Sequence, residues 1–410
     1  MTDFNTKLEN YASLSIKKGV NLQKGQILVI AAPIHSYEFV RLLAEKAYEA
    51  GAHNVHVEWS DEELAKLKLD HAPMEAIQEY PWWHSKAREE LAERGAAFIT
   101  VKSSDPDLLK YADAGKVAAA NKAAGEAMKQ FRNYIQSDKV SWLVTAAPST
   151  GWAKKVFPEV SETEAVQQLW EAIFKAVRAD LENPVLAWEE HDKKLQAKSA
   201  ILNSKKYKQL HYTAPGTDLK IDLPDHHIWA GGGGPNTEGV HFIANMPTEE
   251  VFTVPHKDGV NGYVKNTKPL NYSGNVIDDF TIHFKDGKIV DFSAGEGEST
   301  LRNLIDTDEG SHRLGEVALV PHSSPISQSG ILFYNTLFDE NASNHLAIGS
   351  AYAFCVEGGT TMNEQEKQEA GLNTSLTHVD FMVGSNKMNI EGILPDGTKE
   401  SVFQNGEWAI

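Results

Sequence analysis

The feature that most constrains this chain is a change of hydrophobic rhythm near residue 200. Before it, short apolar runs alternate with helical stretches. The run Gln26–Ala31 is apolar from Ile27 onward, as in a strand covered on both faces. A helix is expected over about Tyr37–Ala50, a strand over Asn54–Trp59 and a helix over Asp61–Leu69. Ala97–Val101 and Trp142–Ala146 repeat the strand pattern, and an Ala/Lys-rich helix is expected between them, over about Gly115–Gln136. Strands alternating with helices imply an open, mostly parallel α/β sheet. Two polar helices follow, near Ser161–Ala179 and Trp188–Leu202, suited to a surface or to bridging domains. From Tyr207 onward the pattern is one of short strands and turns: Leu210–Thr213, Leu219–Leu223, and Phe280–Phe284 returning through Asp286-Gly287 along Ile289–Phe292. The expected fold is an α/β N-terminal domain with an open, mostly parallel sheet, residues 1–200. An α+β, strand-rich C-terminal domain, residues 201–410, would follow it. Gly231–Pro235 is expected to be a flexible loop.

Two domains also suit 410 residues, since single cores rarely grow beyond ~250–300 residues. Apolar content of 41% and charged content of 23% are globular values. No segment approaches the ~18 unbroken apolar residues of a membrane span. The first residues lack the basic and apolar regions of a secretion signal, so a cytoplasmic protein is expected. A formal charge of −18 argues against a nucleic-acid partner. Cys355 is the one cysteine. An internal disulfide and a cysteine-built zinc site are thereby excluded, and any transition metal would be held by His, Asp and Glu. Within an apolar run, Cys355 is expected to be a buried structural thiol. Neither a dinucleotide fingerprint nor a P-loop is present, and H-E-x-x-H and G-x-S-x-G are also absent.

Chemistry-bearing residues gather in the second half. In Thr377–Gly384 the alternation marks a strand, so His378 and Asp380 share a face and offer an imidazole and a carboxylate together. The spacing alone decides nothing, because His256-Lys257-Asp258 repeats it and His56-Val57-Glu58 comes close. Glu249 and Glu250 follow a Pro-containing turn at the start of a strand and are expected to point oppositely. Glu316 enters the apolar strand Leu314–Val320, where it is either exposed or coordinated. Asp339, Glu340, Asn341 and Asn344 crowd around His345, and Tyr352 offers a phenol for an oxyanion. Glu250, Glu316, His345, His378 and Asp380 together exceed the needs of one zinc and suit two metals sharing a carboxylate.

Asn245–Thr253, Gly315-Glu316, Asn335–His345 and Thr377–Met382, in this order, resemble the M29 family of metallo-aminopeptidases, and the resemblance runs the full length. It implies metal ligands at Glu250, Glu316, His345, His378 and Asp380, with Tyr352 as an auxiliary catalytic residue. It also implies a homodimer in which the N-terminal domain helps enclose the site. The expected activity is release of N-terminal amino acids from small peptides by a water that two divalent ions activate. Glu316 would be the bridging carboxylate, and Glu249 or Glu340 would bind the substrate amine or shuttle a proton. The ions are zinc, cobalt, manganese or magnesium, among which the donor set does not choose. Alternatives are another two-metal amidohydrolase, such as a dipeptidase or amidase, and a non-catalytic metal-binding protein.

Overall fold

The structure is a computed structural model describing residues 3–410, and it divides into two compact units. The first comprises the chain through Lys193 together with Gly232–Thr248, and the second comprises Lys194–Gly231 and Glu249–Ile410. The change of unit falls inside one helix, Pro184–Lys205. Sequence pattern does not reveal the return of Gly232–Thr248 to the first unit. Its backbone joins the first sheet through hydrogen bonds between Val144 N–H and Ala244 O and between Met246 N–H and Val144 O.

In the first unit, β1 (Ile27–Pro33), β2 (Asn54–Ser60), β3 (Ala97–Lys102) and β4 (Trp142–Ala146) form a parallel sheet in the order β2-β1-β3-β4. β1 and β3 lie inside the sheet and are apolar and buried, as two-sided cover requires, whereas edge strand β2 is largely accessible. The single helix expected over Gly115–Gln136 is two, Ala114–Ala127 and Lys129–Gln136, broken at Met128. The second piece sets Phe131 edge-to-face on Phe98, ring centroids 4.9 Å apart. That long-range contact is not encoded in helical periodicity. Among the described residues no helix is long and apolar enough to cross a membrane.

The second unit is built on antiparallel pairing. A nine-stranded sheet includes Gln209–Ala214, Thr217–Asp222 and the hairpin Asn275–Lys285 with Lys288–Glu296. A five-stranded sheet runs, in spatial order, His378–Met382, His345–Gly349, Leu314–Leu319, Val251–Thr253 and Ala230–Gly231. One shared core includes Leu210, Ile221, Trp229, Val317, Leu346 and Phe381. The glycine run is therefore not simply a loop. Ala230–Gly231 is an edge strand of the smaller sheet, and Gly234–Pro235 pairs with His241–Phe242. Gly231 suits that edge because a Cβ there would lie 2.9 Å from Val251 Cγ2 and 3.1 Å from the Glu250 carbonyl.

Pairing between Leu314–Leu319 and His345–Gly349 slips between Leu314 and Glu316, leaving Gly315 as a bulge. A Cβ on Gly315 would come within 2.4 Å of the carbonyl oxygens of both Gly349 and Ser350. Gly315→Ala is expected to destabilise the chain by about 1–3 kcal/mol, because main-chain oxygens cannot swing aside as side chains do. Denaturant unfolding of the two proteins side by side checks this, and an unchanged midpoint would contradict such crowding.

Candidate metal centre

Register builds the site. Glu316 pairs with Ala347, and Ala347 pairs with Asp380, so one row across three strands carries two carboxylates with a methyl between them. Two residues along, His345 pairs with Ala318, and in the other direction His378 pairs with Gly349. Directly opposed residues share a face, as do residues two apart on one strand. Glu316, His345, His378 and Asp380 therefore rise from one face, beside the small Ala318, Ala347 and Gly349. Glu250, just before Val251–Thr253, joins them from the next strand. Its carboxylate lies 2.9 Å from His345 Nε2.

Two groups of three ligand-type side chains result: Glu250, Glu316 and His345, and Glu316, His378 and Asp380. Glu316 belongs to both. Its Oε1 lies 3.7 Å from His345 Nε2 and its Oε2 3.2 Å from His378 Nε2. His378 Nε2 is also 3.5 Å from Asp380 Oδ1. Glu316 is only 3% exposed, which excludes the solvated alternative for a strand-entry glutamate. Among the described residues, these carboxylates have no ion-pair partners but the two imidazoles.

Both imidazoles are oriented from behind by main-chain carbonyls. His345 Nδ1 lies 2.9 Å from Glu340 O and 3.1 Å from Ser343 O, and His378 Nδ1 lies 2.7 Å from Ser350 O. A carbonyl only accepts, so each Nδ1 carries a proton and each Nε2 is left facing the carboxylates. That orientation presents the Nε2 atom that a metal would take.

Burial works to lower the pKa of both histidines, but the surrounding carboxylates outweigh it and hold both well above the ordinary value. Glu250 is pushed up by burial, partly relieved by His345. Burial would raise Asp380 too, yet the nearby His378 charge keeps it below its ordinary value. Buried Oδ1 of Asp380 accepts no hydrogen bond. Three carboxylates, one of them with an unsatisfied buried oxygen, and two Nε2 atoms form a hard, mixed oxygen and nitrogen donor set that fits divalent cations.

The other expected residues fall around this set. Tyr352 lies with its ring centroid 4.8 Å from that of His378. Burial and the negative charge of Glu316, Asp380, Glu340 and Glu250 push its phenol well up, so it keeps its proton. Glu340 is buried outside both groups, and burial, Asp380 and Glu250 push its pKa well up. Glu249 is also buried and outside both groups. Asn341 ties these two together: its Oδ1 accepts from Glu249 N–H at 2.7 Å, and its Nδ2 donates to Glu340 Oε1 at 3.3 Å. Asp339 faces inward differently, accepting from Phe333 N–H (2.9 Å) and Asn335 N–H (3.0 Å), with burial raising its pKa to about 7. Asn344 Oδ1 accepts from Val320 N–H at 2.7 Å. The decoys are otherwise engaged. Asp258 pairs with Arg313 at 2.7 Å, Glu58 pairs with Arg88, and Cys355 is buried.

Residues 4–408 match the family described as thermophilic metalloprotease (M29). The chain belongs to the M29 family. It is therefore a metalloprotease, a hydrolase of peptide bonds. Among M29 relatives it is 60% identical to aminopeptidase AmpS of Bacillus subtilis (strain 168), covering 100% of both chains. It is 51% identical to aminopeptidase 2 of Geobacillus stearothermophilus, over 100% of this chain and 99% of that one. The solved structure of wild-type AmpT from Thermus thermophilus superposes with a TM-score of 0.92 at 42% identity, covering 100% of both chains.

An M29 site of this composition leaves its carboxylates poorly compensated once metal is withdrawn. Chelation is expected to lower the melting temperature, through loss of about 3–4 kcal/mol of linked stability at 100- to 1,000-fold saturation. Thermal unfolding with and without chelator measures this, and identical curves would count against a metal bound by the native state.

Proposed function

We propose that the chain is a two-metal aminopeptidase that releases N-terminal residues from small peptides. The observation that carries this reading is the position of Glu316 in both ligand groups, one oxygen toward each histidine. Glu250, Glu316 and His345 would hold one divalent ion, and Glu316, His378 and Asp380 the other. Bound there, such ions supply Lewis acidity and a water of near-neutral pKa. Glu316 would serve both ions from a strand whose position is fixed by its pairing in the sheet. Tyr352 holds a proton on its phenol oxygen and donates a hydrogen bond to the carbonyl oxygen as it gains charge. We assign Glu340 and Glu249 to the substrate's α-ammonium and to proton transfer. Asn341 supports that assignment by tying the Glu340 side chain to the Glu249 backbone.

A cytoplasmic homodimer is part of the same proposal. Trp59, Trp82, Trp83 and Tyr111 of the first unit are exposed, and aromatic residues of this kind are enriched at protein interfaces. Light scattering on the purified protein tests this, and a mass near 45.3 kDa would overturn it.

N-acetylation of a good peptide substrate is expected to abolish turnover. Undiminished cleavage would favour an amidase or dipeptidase reading instead. Metal analysis is expected to give two equivalents per chain, and Glu316→Ala is expected to lose both metal and activity. Tyr352→Phe is expected to keep its metal and lose about 100- to 1,000-fold in kcat. A Tyr352→Phe enzyme of full activity would remove the phenol from the mechanism.

A further inference from the structure

A second built cavity, of about 480 Å³, lies in the first unit against one face of the parallel sheet. Its floor is a set of residues two apart on adjacent strands: Val29 and Ala31 of β1, Phe98, Thr100 and Lys102 of β3, and Trp142 and Val144 of β4. Its roof comes from the two helices that replace the single one expected from sequence, through Ala124, Gly125, Met128 and Phe131. Large rings close one end, where Phe98 and Phe131 touch. Ala31, Thr100, Val144, Ala124 and Gly125 also line the cavity, and their short side chains leave space unfilled.

Lys102 is the one charged strand residue that lines the cavity. It keeps accessible surface while lining the cavity. Its ammonium makes no hydrogen bond or ion pair among the described residues, and desolvation alone lowers its pKa. No carboxylate lines the cavity. Arg88 and Arg132 also line it, Arg132 with interactions of its own, while Arg88 is committed to Glu58, with Nε 2.9 Å from Glu58 Oε2, and lies over the Phe131 ring. An apolar pocket of this volume with a few placed polar groups is the usual form of a small-molecule site. An exposed lysine that lines such a pocket, with no carboxylate on the lining, offers its charge to an anion.

We propose that this cavity binds a small apolar carboxylate, with Lys102 as counter-charge and the Phe98, Phe131, Met128 and Trp142 wall taking the hydrocarbon. Two sources share that chemistry: the carboxyl end of an apolar amino acid or peptide, and a short fatty acid. The site is separate from the hydrolytic reading, and its test needs no turnover.

Isothermal titration of the metal-loaded full-length protein with N-acetyl-leucine, octanoate and their uncharged amides supplies the test. At least one carboxylate is expected to bind better than its amide by about tenfold or more, the worth of a charge-assisted hydrogen bond. The tighter carboxylate identifies the source. Lys102→Met, which keeps the aliphatic stem, is expected to erase that preference. Thr100→Leu is expected to weaken the carboxylate by about tenfold by occupying the cavity. Absence of binding, equal affinity for acid and amide, a preference that survives Lys102→Met, or unaltered binding to Thr100→Leu would each overturn the proposal. Survival of the preference would place the carboxylate elsewhere, for example on the metals.

Discussion

An ionisable carboxyl group in the middle of a hydrophobic sheet is the constraint around which the second unit is arranged. Glu316 stands in Leu314–Leu319, a strand buried at every position. An unpaired buried carboxylate costs several kcal/mol, and pairing restores stability only when geometry is good on both oxygens. Here each oxygen has an imidazole, each imidazole has a further carboxylate, and small residues on the intervening strand leave room between them. Replacing Ala347 with a larger side chain would fill the centre of that arrangement. The five-stranded sheet is thus both a structural core and a frame that gathers Glu250, Glu316 and Asp380 around two imidazoles.

Much of this was legible in the residues, for identifiable reasons. The strand Trp142–Ala146 was read with its observed bounds, because turn residues flank a short apolar run. His378 and Asp380 were placed on one face by period-two alternation, which backbone geometry dictates. Their distinction from His256 and Asp258 was not legible from spacing. It depends on Arg313, which neutralises Asp258 from far along the sequence. The burial of Glu316 was equally hidden, since an acidic residue at a strand entry reads the same whether coordinated or solvated.

Other features escaped because tertiary contacts decide them. The break at Met128 carries no proline, and the glycine nearest to it, Gly125, is an ambiguous signal in so alanine-rich a helix. The excursion Gly232–Thr248 returns to the first unit through main-chain hydrogen bonds, which side-chain identities do not announce. In the sequence Asn341 is one polar residue among several near His345. Its work as a tie between Glu249 and Glu340 appears only when residues 92 positions apart meet.

The anchoring of the two histidines has an implication for how such a site changes over time. Many metal-binding imidazoles are steered by a neighbouring carboxylate, which a single codon change can delete. Here the steering atoms are the main-chain oxygens of Glu340, Ser343 and Ser350. Every residue type supplies that oxygen, so mutation at those three positions leaves the acceptor in place unless it moves the backbone. Imidazole orientation is then inherited with the path of the chain rather than with particular side chains. The sequence around the centre is free to drift, and the loops that set the path, not the acceptors themselves, become the points of fragility.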